Sequence, residues 1–422
     1  MDQNVYRQYI QILKEELIPA LGCTEPIAIA YASAKAREVL GEEPVHITAR
    51  CSGNIIKNVK GVIVPTTYNL KGVEASAIVG AVGGNPSKKL ETLSDVRPEH
   101  IEKTRRLLAE NFCNVELIEG ESNLDIIIDM KGEHHTALVE IVYTHTNICR
   151  IEKDGQVLLD KVKSPDHGSA ADRSLLNLDD IFLFVRELDI DDIRDVLDMQ
   201  MKYNYEIAQE GLRKGYGAHV GPTLMQHYPD SVELRARAFA AAGSDARMNG
   251  CVLPVVINSG SGNQGMTITL PIMVYAEHLQ SSAEERYRAL ALANIIAIYL
   301  KSGLGKLSAY CGAVSAGASA GAGIAYLYGS SRKVIEDTLV NALANVSGIV
   351  CDGAKASCAA KIASSVEAAL LGFFMAQKGH VFPAGEGLVQ VDTDKTIQAI
   401  GRMGRVGMKS TDVEILKIMI GQ

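Results

Sequence analysis

No run of lysine or arginine with interleaved aromatic residues occurs in this chain, and its formal net charge of -8 argues against a nucleic-acid partner. Small neutral or zwitterionic partners are expected instead. No Cys-x-x-Cys pair is present, which removes support for a zinc ribbon or a thioredoxin-type site. Eight cysteines over 422 residues fit no dense disulfide framework. The opening residues Asp2, Gln3, Asn4 and Arg7 lack the basic, apolar and cleavage regions of a signal peptide, so the expected compartment is reducing and cytoplasmic. The apolar stretch from Ala309 to Tyr328 is built from Ala, Gly and Ser instead of Leu, Ile and Phe. It reads as a buried helix in close contact with other backbones, and no membrane partner is expected. Asn345-Val346-Ser347 matches a glycosylation acceptor in form alone. No repeat of fixed length appears.

With 47% hydrophobic and 22% charged residues, the chain is long enough for two domains with sizeable cores. Residues 3–19 carry apolar positions at helical spacing (Tyr6, Ile10, Leu13, Leu17), and a second helix is predicted from Pro26 to Leu40 with Gly41 beyond its end. From Val45 the pattern changes. His46 to Cys51, Val59 to Val64, Val115 to Leu117, Leu124 to Asp129 and Ala137 to Tyr143 read as strands, with a charged helix from Ile101 to Asn111. The fold class is α+β: N-terminal helices with a largely antiparallel sheet over 1–165, then an all-helical domain over 175–422. The polar segment Lys153 to Arg173 is the expected linker, and Asp154-Gly155 ends the strand-rich region. Beyond it, Leu178 to Leu188, Ile190 to Glu210, Ser231 to Ala242, Ala283 to Lys301 and Lys355 to Gln377 have helical spacing.

Cys311, Cys351 and Cys358 sit among glycine and alanine, with Cys23 far upstream, and together they look like a metal site with a partner thiol. On composition alone the simpler reading is buried free cysteines acting as small hydrophobes. Cys351 and Cys358 are two helical turns apart, roughly 10 Å on an unbroken helix. Asp352-Gly353 can break that helix and let both sulfurs converge, and Gly312 and Gly348 leave room for a bulky inorganic group. Cys23 lies just ahead of a helix N-terminus, where thiolate is favoured over thiol and a general base can be made; it equally fits plain packing in a turn. Cys51, Cys113, Cys149 and Cys251 read as core filling.

Gly260-Ser261-Gly262-Asn263-Gln264-Gly265 matches the dinucleotide fingerprint literally, but Pro271 is expected to interrupt its helix and no acidic residue ends a second strand. A loop whose N–H groups and Ser259, Ser261 and Asn263 side chains cradle a carboxylate fits better. Gly305-Lys306 lacks the Ser or Thr of a phosphate loop, since Leu307 follows. His134, His135 and His145 are expected in surface or strand-facing roles, and His219 in a glycine-rich loop is a candidate for substrate contact.

The strings Leu21-Gly22-Cys23-Thr24-Glu25-Pro26, Ser52-Gly53-Asn54 with Lys57-Asn58-Val59, Ser259 to Gly265 and Cys351-Asp352-Gly353-Ala354-Lys355 together resemble the L-cysteine desulfidase family over nearly the whole chain. The helical half is similar to the alpha domain of iron–sulfur L-serine dehydratases. The resemblance implies β-elimination from L-cysteine to pyruvate, ammonia and sulfide with a [4Fe-4S] cluster instead of pyridoxal phosphate. It implies Cys311, Cys351 and Cys358 as cluster ligands and Cys23 as proton acceptor, with Ser52, Asn54, Ser259, Ser261, Asn263 and His219 as candidate substrate contacts. An open iron would bind the substrate's carboxylate and its β-thiol or β-hydroxyl. Gly353 replaces the proline that follows Cys-Asp in the serine enzymes, and the cysteine spacing is shorter, which favours the desulfidase branch. The alternatives are an L-serine dehydratase with the same site and a non-enzymatic iron–sulfur or redox-sensing protein with Cys23 as a fourth ligand. A homodimer is the expected assembly.

Overall fold

The computed structural model describes residues 1–120, 122–163, 171–305 and 307–421. Helix α1 (Gln3–Glu16), strand β1 (Pro19–Leu21) and helix α2 (Thr24–Leu40) precede β2 (His46–Ser52). Helices α3 (Gly53–Val59), α4 (Val73–Gly83) and α5 (Pro98–Ala109) lead to β3 (Cys113–Ile118). A meander of β4 (Asp125–Lys131), β5 (Thr136–Val142), β6 (Ile148–Lys153) and β7 (Gln156–Asp160) completes the first part. The sheet order is β3-β2-β4-β5-β6-β7, antiparallel throughout except for β2 with β3. That parallel pair needs a long crossover, which α3, α4 and α5 supply. Alternate residues Ile47, Ala49 and Cys51 of β2 and Ile126, Ile128 and Met130 of β4 are buried beneath α2 and α4. The period of two thus makes one dry face, as expected of a largely antiparallel sheet.

Two segments of this first part differ from the sequence reading. Val59 to Val64 is no strand: it closes α3 and continues as a loop with a single bridge, Ile63 to Lys71. Val59, Val62 and Val64 are buried in three separate apolar clusters, so their alternation reflects three neighbours and no ladder. Asp154-Gly155 does not end the sheet either. With φ of 51° and 76° the pair forms a tight hairpin turn, and β7 adds a sixth strand. Of the expected linker, residues 164–170 lie outside the described residues.

The second part comprises α6 (Leu178–Glu187), α7 (Arg194–Arg213), α8 (Val220–His227), α9 (Val232–Met248), β8 (Pro254–Val256), α10 (Gly262–His278), α11 (Ala283–Leu304), α12 (Gly312–Leu327), α13 (Arg332–Val346), α14 (Cys358–Gln377), α15 (Thr393–Arg402) and α16 (Lys409–Ile420). It is helical except for β8, which pairs antiparallel with β1. Pro271 does not interrupt α10; it is buried inside the helix, which α7, α9, α11 and α12 surround and hold. Helix α12 is central, touching α10, α11, α13 and α14. Its small residues allow this: a Cβ added at Gly317 would stand 2.7 Å from the Ser365 carbonyl oxygen of α14. Helix α14 has the length and apolar composition of a membrane span, but Ile362, Val366, Leu370 and Phe373 are buried in its packing against α9, α12 and α13.

The terminal helices cross between the two parts. Tyr9 of α1 packs on Phe184 of α6 with ring centroids 5.2 Å apart, inside the helical core, whereas α16 packs on α3. Because Gly317 sets how closely α12 and α14 run, Gly317→Val is expected to destabilise the protein by about 1–3 kcal/mol through overpacking, read as a lower urea midpoint at unchanged m-value.

Candidate active site

Two short extended segments run antiparallel where the sheet part meets the helical part. The Cys311 N–H donates to the Ile349 carbonyl at 3.1 Å and the Cys351 N–H to the Ala309 carbonyl at 2.6 Å, around the facing pair Tyr310 and Val350. Cys311 and Cys351 are therefore diagonal neighbours across the bridge, a relation that separates residues by roughly 7–8 Å. From Cys351 the chain turns through Gly353 at φ +97°, where an added Cβ would stand 2.5 Å from the Lys57 carbonyl oxygen, and enters α14 at Cys358. This turn replaces the unbroken helix that would hold the two sulfurs apart. Asp352 pairs with Lys355 and Lys361, and Lys361 Nζ donates to the Val350 carbonyl at 2.8 Å, so the turn is clamped at both ends. Lys57 of α3 donates to the Cys351 carbonyl at 3.1 Å and pairs with Asp412 of α16 at 2.5 Å.

Cys23 is the residue just before α2, as its sequence context predicts. Its Sγ donates to Glu25 Oε2 at 2.9 Å. Asn58 Nδ2 donates to Glu25 Oε1 at 3.1 Å, and Nε2 of the buried His145 stands 3.9 Å from the same oxygen, an ion-pair distance. Thr24 Oγ1 donates to the Gly260 carbonyl at 2.9 Å, tying this turn to the loop before α10. Burial works to raise the Glu25 pKa, yet His145 and the Cys23 hydrogen bond hold the carboxyl at about 2. The expected lowering of the Cys23 pKa does not follow from its helix-end position. Burial first, and the Glu25 charge second, push the thiol well above its ordinary value, against a smaller opposing effect of Arg247. The resting pair is a Cys23 thiol donating to a Glu25 carboxylate.

Cys23, Cys311, Cys351 and Cys358 line one cavity of about 100 Å³, together with Glu25, Asn58, Arg247, Ser261, Asn263 and Gln264. Four helices begin at its wall: α2 after Cys23, α10 after Ser261, α12 after Cys311 and α14 at Cys358. Their free N–H groups and positive dipole ends favour negative charge there. Burial, then the neighbouring Cys351, pushes Cys311 up to about 12, and burial raises Cys358. These thiols ionise together only with a cationic centre between them.

Among the described residues no three His, Cys, Asp or Glu side chains lie close enough to hold a single metal ion. A cluster several ångströms wide is held by sulfurs that stand further apart, and the donor set fits it. Asn58 Oδ1, Arg247 Nε, Gln264 Oε1 and Tyr310 Oη belong to residues of the same lining and are buried without a hydrogen-bond partner among the described residues. Such atoms call for a guest. The space expected at Gly312 is taken by the Gln264 carboxamide, since an added Cβ would stand 2.7 Å from its Cδ; nothing lies within 4 Å of one at Gly348.

Of the other residues singled out from sequence, Ser261 and Asn263 line the cavity. Ser52 and Asn54 instead line a neighbouring cleft of about 420 Å³ with Lys57 and Asp412. Ser52 Oγ is spent on the backbone, donating to the Asn123 carbonyl at 2.9 Å and accepting from the Asp125 N–H at 3.2 Å. Ser259 donates to Asn258 Oδ1 at 2.8 Å and faces a third cleft. His219 is exposed at the start of α8 and lines none of these three cavities. His134 and His135 are exposed as expected, but His145 is buried beside Glu25. Glu25 and Asn58 lie inside the motif strings, where nothing in the local pattern marks them as site residues. Arg247 has one sequence signal, a cation ending the alanine-rich run from Ala236 to Ala246.

A sheet lobe joined to a helical lobe, with a thiol-lined cavity at their junction, is a protein of the serine dehydratase-like class. The chain belongs to the serine dehydratase alpha chain family, whose model matches residues 87–417, including Arg247 and the three clustered cysteines but not Cys23. It is 54% identical to a UPF0597 protein of Lachnoclostridium phytofermentans over 99% of this chain and 100% of that one. It is 47% identical to a UPF0597 protein of Finegoldia magna (98% and 99% covered) and 36% identical to one of Parabacteroides distasonis (100% of each).

Lys57→Met strands the half-buried Asp412 and frees the Cys351 carbonyl, at an expected cost of roughly 3 kcal/mol. Lys57→Met combined with Asp412→Leu should recover most of that loss; equal unfolding midpoints for the single and double variants would show that the pair is uncoupled.

Proposed function

We propose that the chain is a lyase that eliminates the β-substituent of L-cysteine, yielding pyruvate, ammonia and sulfide, and works in a reducing cytoplasm. Cys311, Cys351 and Cys358 would hold a [4Fe-4S] cluster. The observation that carries the reading is the meeting of all four cysteines, Glu25 and Arg247 at one cavity among four helix N-termini. When bound, the cluster supplies an iron with no protein ligand, a Lewis acid that makes the β-thiol a better leaving group.

The chain's own residues account for the proton. Cys23 Sγ takes the Cα proton, and as it does so its own proton passes along the existing 2.9 Å hydrogen bond to Glu25 Oε2. Because the two proton transfers are coupled, no free thiolate has to be present at rest. Asn58 and His145 keep Glu25 ionised at rest, so that its Oε2 carries no proton when the substrate binds. The Cα–H and Cβ–S bonds break, the electron pair of the first becomes the Cα–Cβ double bond, that of the second leaves with the sulfur as hydrosulfide, and the aminoacrylate released adds water to give pyruvate and ammonia.

A second reading, L-serine dehydration at the same residues, is favoured by the family match over residues 87–417. Anaerobic purification with iron and acid-labile sulfide analysis separates the possibilities. Sulfide release from L-cysteine supports the desulfidase, and pyruvate from L-serine alone supports the dehydratase. A brown protein that turns over neither is a binding or redox protein, and a colourless protein with no iron overturns the cluster assignment. Cys311→Ala, Cys351→Ala and Cys358→Ala are each expected to lose colour and iron. Cys23→Ala is expected to keep the absorption spectrum and lose at least about 100-fold in kcat; bleaching would make Cys23 a ligand.

A further inference from the structure

We infer that Arg247 binds the α-carboxylate of the substrate, and so restricts the cavity to α-amino acids; the inference rests on reading the cavity as an amino-acid site. Arg247 lies in the last turn of α9 and is 3% exposed. Three other buried side-chain charges have a partner of opposite sign: Lys57 has Asp412, Glu140 has Lys163 and Glu16 has Arg173. Arg247 pairs with no carboxylate among the described residues. Nη1 donates to Asn263 Oδ1 at 3.1 Å, and Nε is buried with no partner. A permanently charged group kept dry without a counterion is costly unless a ligand supplies one.

The guanidinium has a built berth. A Cβ added at Gly262, in the first turn of α10, would stand 2.9 Å from Arg247 Cζ, so only glycine leaves this space. Asn263, next in that turn, holds one arm of the fork, and Nε lies against Gly262, where an added Cβ would stand 2.4 Å from it, at the wall of the cavity that Arg247 lines with Cys23 and Ser261. A planar fork beside a helix N-terminus matches a carboxylate better than a hydroxyl or thiol does. Glu25 brings the opposite sign to the same lining, so the cavity presents both charges to a zwitterion. A carboxylate held through one oxygen keeps the second free, which is compatible with the expected coordination to an open iron.

The test uses full-length, anaerobically reconstituted protein and isothermal titration calorimetry. L-alanine carries the substrate's amine and carboxylate with no leaving group; ethylamine is the same molecule without the carboxylate. Wild type is expected to bind L-alanine at least about 10-fold more tightly than ethylamine, Arg247→Gln to weaken L-alanine roughly 10–100-fold with ethylamine unchanged, and Arg247→Lys to fall between. An unchanged cluster absorption spectrum in Arg247→Gln checks that the cavity is intact. Equal binding of the two probes by wild type, which needs no variant to fold, overturns the assignment, as does undiminished L-alanine binding in Arg247→Gln. Sulfide release by wild type is scored in parallel: its absence counts against the β-elimination reading, while Arg247-dependent L-alanine binding stands without it.

Discussion

The convergence of four helix N-termini on one small thiol-lined cavity is the constraint on which the rest of the molecule depends. Thiols at Cys23, Cys311 and Cys358 stand at the starts of α2, α12 and α14, and Ser261 opens α10. Helices brought end to end around one small space must pack closely along their lengths. The alanine, glycine and serine of α12 make that possible, since bulky side chains would hold the axes apart and spread the helix ends. The same composition that superficially resembles a membrane segment is thus a condition of the site.

Position is then secured by charge and chain topology. Asp352, between Lys355 and Lys361, fixes the turn that brings Cys351 and Cys358 to one cavity, and Lys57 reaches the same turn from the other lobe. The terminal helices exchange sides, α1 lying in the helical core and α16 on α3, while β1 pairs with β8. These links hold Cys23 and Glu25, from the start of the chain, against cysteines more than 280 residues later. The junction is therefore no loose cleft between independent domains.

Regular elements are legible wherever the pattern serves one purpose. The helices from Leu178, Ala283 and Cys358 and the strands β2, β4 and β5 follow their periodicity because one neighbouring layer buries each face. Val59 to Val64 misleads because three different clusters absorb its valines. Asp154-Gly155 reads as a break because a hairpin turn and a linker share the same residues. Pro271 is tolerated because burial on every side holds α10 together.

By itself the sequence determined the fold class, the two-part order, the motif strings and the four cysteines, since these depend on local pattern and residue identity. Only the tertiary structure decided that those cysteines share one cavity, that Glu25 receives the Cys23 hydrogen bond, and that Arg247 is buried without a counterion among the described residues. It also reversed the expected effect on the Cys23 thiol, because burial and a neighbouring carboxylate outweigh the helix end. The physical reason is common to all of these: desolvation and charge act through space, at distances that only the folded chain sets.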